Sequence, residues 1–89
     1  MAKIIIVDDD EKVTTLLSRF LVANGYQVTT VNDSSKAMQE AGTVRPDLII
    51  LDIMMPGIGG IELCRLLRAK NRFMDTHIFF LTARSESYY

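Results

Sequence analysis

Two adjacent carboxylates, Asp8 and Asp9, a third at Asp52 and a hydroxyl at Thr82 each follow directly on a short apolar run: Lys3 to Val7, Leu48 to Leu51, and His77 to Leu81. Continuous apolar runs of this kind read as strands buried on both faces of a parallel sheet. A lone carboxylate inside such a sheet would cost several kcal/mol or take up a proton, so Asp52 is placed at the carboxyl end of its strand, facing a crevice. Open parallel sheets bind ligands at that end. If strand ends converge there, Asp8, Asp9, Asp52 and Thr82 line one pocket despite their distance in sequence. Two carboxylates about 4 Å apart repel by roughly 4 kcal/mol at an effective dielectric near 20, and a cation resolves the conflict. Oxygen donors without His or Cys favour a hard ion such as Mg²⁺, which keeps waters and leaves positions for phosphate oxygens. An Asp carboxylate can itself attack phosphorus, with the metal neutralising charge, and the Thr82 hydroxyl could donate to a phosphoryl oxygen.

The elements that must position these groups alternate along the chain. After the first strand, Val13, Leu16, Leu17, Phe20 and Leu21 recur at helical spacing, with acids at the start and Gly25 as the stop. Tyr26 to Val31 is a second strand whose Gln and Thr residues suit a sheet edge. Asp33, Ser34 and Ser35 offer caps for a short helix with Ala37, Met38 and Ala41, closed by Gly42 to Pro46. Past Asp52, Pro56, Gly57, Gly59 and Gly60 make a loop. Helical periodicity resumes at Ile61, where Ile61, Leu63, Cys64, Leu66 and Leu67 form a stripe that should stop near Asn71. His77 to Leu81 is a fourth strand, with Phe79 and Phe80 expected in the core. Strands alternating with helices through short connections imply an α/β fold, a parallel sheet joined by right-handed crossovers.

Composition narrows the function. The 89 residues make one domain, on the small side for a core. Ten Lys and Arg against eleven Asp and Glu leave a net charge of −1 with no basic cluster, so neither a nucleic-acid nor an anionic-membrane surface is expected. The one cysteine, Cys64, has no internal disulfide partner and suits a cytosolic core position. The first apolar run is too short for a signal peptide or a membrane span, and a cytoplasmic location follows as the expectation.

Ile-Val-Asp-Asp at 6–9, Leu-Asp-Ile-Met-Met-Pro at 51–56 with Gly60 four residues after the proline, and Leu-Thr-Ala at 81–83, in this order, resemble the receiver domain of two-component response regulators. The resemblance implies a flavodoxin-like doubly wound sheet, here with four of five strands in the order 2-1-3-4. It implies that Asp52 accepts a phosphoryl group from a histidine kinase or phosphotransfer protein. Asp8 and Asp9 match the acids that hold Mg²⁺, together with Asp52 and a backbone carbonyl falling on Met54. Thr82 matches the switch hydroxyl, and Ala83 the small residue beside it. Such a domain is a signalling switch, not a turnover enzyme; self-phosphorylation from small phosphodonors would be slow.

Departures from the family pattern set further expectations. The fifth strand, the helices around it and a Lys that pairs with the phosphoryl group would lie beyond Tyr89, and Lys70, in the third helix, is no substitute. Residues 1–89 therefore read as a truncated receiver domain with impaired phosphorylation. Gly59 stands where an acid is common. In the implied order the fourth strand becomes an apolar edge without a gatekeeping charge, which predicts a homo-oligomer through that strand and the uncovered sheet face. Two alternatives remain: a phosphatase of haloacid-dehalogenase type using Asp8 and Asp10, because Asp-x-Asp-x-x-Val also fits residues 8–13, and a self-associating fragment with no phosphate chemistry. Asp10, Glu11 and His77 otherwise read as structural.

Overall fold

The three apolar runs and the more polar segment before Asn32 all become strands, and the central ones, covered on both faces, carry β-branched residues on both sides. The computed structural model describes residues 1–81. Its elements are β1 (Lys3–Val7), α1 (Glu11–Ala23), β2 (Gln27–Val31), α2 (Ala37–Val44), β3 (Leu48–Asp52), α3 (Gly60–Arg68) and β4 (His77–Leu81), with 3-10 turns at Ser34–Lys36 and Asn71–Phe73. All pairings are parallel and the sheet order is β2-β1-β3-β4, as expected. β2 and β4 are the edges. β1 is the most deeply covered strand, buried from Ile4 to Val7.

Side-chain alternation splits the sheet into two faces. Ile5, Val7, Ile49 and Leu51 pack with Ala37 and Ala41 of α2, Leu63 and Leu67 of α3, and Phe73. Ile4 and Ile6, pointing the other way, are buried on the α1 side. Helix α1 ends through two bonds around Gly25, whose φ is +92°: Gly25 N–H donates to Val22 O and Tyr26 N–H to Leu21 O, at 3.0 and 3.1 Å. Tyr26 is consumed in that closure, which is why β2 starts at Gln27 and not at Tyr26.

Two sequence expectations need correction. Phe79 and Phe80 are not core: they are 62% and 42% exposed. Both lie on an edge strand: Phe79, in register with Ile50, points to the face that α1 covers over β1 and β2, and Phe80, in register with Leu51, to the α2–α3 face, where Ile78 is the β4 residue packed against the core, so the β4 side is thinly covered among the described residues. The apolar stripe of α1 is likewise only partly buried. Leu16 and Phe20 face out at 70% and 65% exposure, while Thr14, outside the stripe, is buried. The stripe is wider than the strip of sheet beneath it, so its flank overhangs the uncovered half. In α3, Leu63 and Leu67 are buried but Ile61 and Leu66 are exposed, for the same geometric reason.

Candidate functional site

The register of the two central strands brings the acids together. Val7 pairs with Leu51, so the next residues, Asp8 and Asp52, leave the sheet side by side. Asp9, one residue on, turns towards them. One carboxylate oxygen from each of Asp8, Asp9 and Asp52 can be chosen so that all lie within 4.8 Å of one another. The three sit in a cleft of about 440 Å³ whose apolar wall is Val13, Leu16, Leu17 and Leu81.

The surrounding backbone holds each acid differently. Asp8 N–H continues the ladder to Val31 O at 3.1 Å, and Asp8 Oδ1 accepts from Asp10 N–H at 2.9 Å. Asp10 itself is the N-cap of α1, its Oδ1 accepting from Lys12 N–H at 2.9 Å. Asp52 Oδ1 accepts from Met54 N–H at 3.2 Å, so the loop after β3 turns back over its own acid. That loop closes as Gly60 N–H donates to Ile53 O at 3.2 Å, at the first residue of α3. Gly57, at φ +77°, provides the left-handed step that the turn needs.

Burial is unequal, and this was not foreseen. Asp8 is only 5% exposed, Asp52 is half-buried and Asp9 faces solvent. Desolvation, with the neighbouring Asp52 and Asp9 carboxylates adding to it, pushes the Asp8 carboxyl up to about 6 against the lowering influence of the Asp10 N–H. The folded chain therefore holds this proton more tightly than the unfolded chain does. Its contribution to stability is complete below about pH 4 and is lost as pH rises through about 6. A shift of this size corresponds to stability on the order of 3 kcal/mol. The expected result, without divalent cations, is a melting temperature that loses this contribution between about pH 4 and 6; added Mg²⁺ should restore it at about pH 7 and do little at about pH 4. A flat profile would contradict the burial of a charged Asp8.

The donor set fits a hard cation. It is all oxygen, it carries excess negative charge, and its most buried member has a carboxyl pushed up by burial beside two like charges. Asp8, Asp9 and Asp52, read from the sequence as one group, are thus brought together. Met54 is adjacent through its N–H. Thr82 and Ala83 lie outside the described residues, although Leu81, immediately before them, lines the cleft. His77 begins β4, at the opposite end of the strand from the acids. Sequence reasoning missed Asn32 and Thr14, and read Ser34 only as a helix cap. Asn32 Nδ2 donates to Asp8 O at 2.8 Å and to Thr14 Oγ1 at 3.0 Å, and Ser34 Oγ donates to Pro56 O at 3.3 Å. A polar residue just past a strand carries no periodic signal that would single it out.

Comparison with known proteins agrees with this geometry. The family model described as Response regulator receiver domain matches residues 4–89. The chain is 43% identical over 86 residues to the alkaline phosphatase synthesis transcriptional regulatory protein PhoP of Bacillus subtilis, covering 97% of this chain and 35% of that protein. It is 36% identical over 85 residues to the DNA-binding response regulator MtrA of Mycolicibacterium smegmatis, covering 96% and 36%. It thus spans about a third of the length of these curated relatives. Among solved structures, the chemotaxis response regulator CheY4 of Vibrio cholerae superposes with a TM-score of 0.89 at 34% identity, covering 96% of this chain and 71% of that one. Response regulator protein TrrA from Thermotoga maritima, in complex with Mg(2+)-BeF, gives 0.87 at 37% identity, covering 97% and 73%.

Proposed function

This chain belongs to the family of response regulator receiver domains, which are phosphoacceptor signalling domains and not classical enzymes, and we propose that Asp52 is its phosphoacceptor. The observation that carries the proposal is the convergence of Asp8, Asp9 and Asp52 at the carboxyl ends of β1 and β3. In this reading a carboxylate oxygen of Asp52 attacks the phosphorus of a phosphohistidine on a histidine kinase or phosphotransfer protein. The O–P bond forms as the N–P bond breaks, and the electron pair of that bond leaves with the imidazole. Asp8, Asp9, Asp52 and the Met54 carbonyl would hold Mg²⁺, which when bound would neutralise charge on the transferring phosphoryl oxygens. The Met54 N–H fixes the orientation of the Asp52 carboxylate through Oδ1. Thr82 supplies a hydroxyl to the phosphoryl group, so that added charge of nearly two units biases the surface around it.

The family match gives no support to a phosphatase built on Asp8 and Asp10, and Asp10 is engaged in capping α1. The proposed setting is cytoplasmic; among the described residues no helix is long and apolar enough to cross a membrane. Self-phosphorylation from a small acyl phosphate is proposed to be slow. The test is incubation of the chain with Mg²⁺ and such a donor, followed by peptide mapping. Phosphate that resists hydroxylamine and mild alkali, or label on any residue but Asp52, would end the assignment.

The proposed partners include a second copy of the chain, joined along β4. The supporting observation is an edge strand with Phe79 and Phe80 both exposed. Light scattering behind a sizing column should give a dimer or larger species; a compact monomer at the same concentration would count against this pairing.

A further inference from the structure

Asp8 is fixed at three points, and one of them comes from a side chain at the end of a neighbouring strand. Its N–H makes the last ladder bond to Val31 O, and its carboxylate accepts from Asp10 N–H. Its C=O is the acceptor that a further backbone N–H of β2 would reach if that strand continued in parallel register. β2 instead ends at Val31, and the side-chain amide of the next residue takes over: Asn32 Nδ2 lies 2.8 Å from Asp8 O. A backbone carbonyl only accepts, so the Asn32 atom facing it is the amide nitrogen.

The same nitrogen is 3.0 Å from Thr14 Oγ1. Thr14 is buried on the first turns of α1, and its hydroxyl donates to Glu11 O at 3.2 Å, which leaves its oxygen free to accept from Asn32. One amide therefore ties together the end of β2, the turn that carries Asp8 and Asp9, and the start of α1. That turn needs tying. It bears two like charges facing a third, and an unpinned backbone would rotate to spread them, leaving the cation site to be rebuilt on each binding event.

We propose that Asn32, seated on Thr14, is a positioning residue for the cation pocket: it pins the main chain at Asp8 so that the Asp8 and Asp9 carboxylates stay aimed at Asp52. The inference rests on the reading of Asp8, Asp9 and Asp52 as a Mg²⁺ site. Groups that orient metal ligands commonly change affinity by about 10- to 100-fold when removed, and an amide acting on one ligand-bearing turn belongs at the lower end.

The test is calorimetric titration of this 89-residue chain with MgCl₂ at pH 7.5, with melting curves confirming that each variant is folded. Asn32→Leu keeps the side-chain size without the donor and should raise the Kd for Mg²⁺ about tenfold. Thr14→Val should raise it severalfold, and Thr14→Ser, which restores the hydroxyl, should return it to within about twofold of wild type. The Asn32→Leu, Thr14→Val pair should bind no more weakly than Asn32→Leu alone, because the two act through one contact. Asp9→Asn serves as the control for the pocket itself. If Asp9→Asn loses affinity while Asn32→Leu binds as wild type does, the positioning role is wrong and the pocket stands. If wild type binds no Mg²⁺, or Asp9→Asn binds it unchanged, the pocket reading fails and the role of Asn32 fails with it.

Discussion

Gly60→Ala is expected to lower the melting temperature by about 10 °C or more. Gly60 opens α3 against the chain that has just left β3. A Cβ placed there would overlap the backbone oxygen of Asp52 and would lie 3.0 Å from the Asp52 carbonyl carbon and 3.1 Å from Ile53 Cα. All three are main-chain atoms, so no side-chain rotation relieves the clash; either α3 shifts outward or the end of β3 bends. Overpacking of this kind costs about 1–3 kcal/mol and sometimes more, and each kcal/mol is worth roughly 4–8 °C in a domain of this size. The control is Gly59→Ala. Its Cβ would meet Ile53 O at 3.4 Å, an ordinary contact, and its φ of −76° suits any residue, leaving only the weaker capping of Ala to lower stability. Circular-dichroism melts of the two variants separate a steric demand from general glycine flexibility. Equal melting temperatures would show that the backbone approach at Gly60 relaxes freely.

Asp52→Asn is expected to abolish covalent labelling by an acyl phosphate while raising the melting temperature measured without Mg²⁺. The amide is not a nucleophile towards phosphorus, so label should fall to background. Its Oδ1 can still accept from Met54 N–H, which keeps the loop in place. What it removes is a negative charge beside Asp8, one of the causes that push that carboxyl up to about 6. Relief of the repulsion is worth on the order of 1 kcal/mol, about 5 °C, and should shrink at about pH 5, below the raised value of the wild-type Asp8 carboxyl. Stabilisation without loss of label would separate the acid cluster from the chemistry. Equal labelling of wild type and variant would remove Asp52 as the acceptor.

The central strands were legible because burial on both faces leaves a run of residues such as Ile4, Ile5, Ile6 and Val7 with no polar interruption. The acids were legible because each ends such a run, and carboxylates do not continue a buried strand. Their grouping also followed from parallel topology, but the strand order came from resemblance, since periodicity says nothing about which strands are neighbours. What escaped was set by tertiary cover. Phe79 and Phe80 have core composition, yet whether they are covered depends on what lies over β4. Thr14 adjoins Leu17 and Leu21 on a helical wheel, so its polar type and not its place hid its burial, and Asn32 gives its hydroxyl a partner there. Asp8 and Asp9 are identical in type and adjacent, and only the fold makes one buried and the other exposed.

The fixed pairing of Val7 with Leu51 has a mechanical meaning. Sliding either strand by one residue would turn its whole apolar set to the wrong face, so the core does not permit the acids to move apart along the strand direction. The hydrophobic sheet thus behaves as a clamp closed on two like charges, and the acid end of the molecule is held like a compressed spring. A cation lets that compression go without any strand moving. Phosphorylation of Asp52, as proposed, would recharge it at one point, and the response would then fall to the loops and not to the sheet.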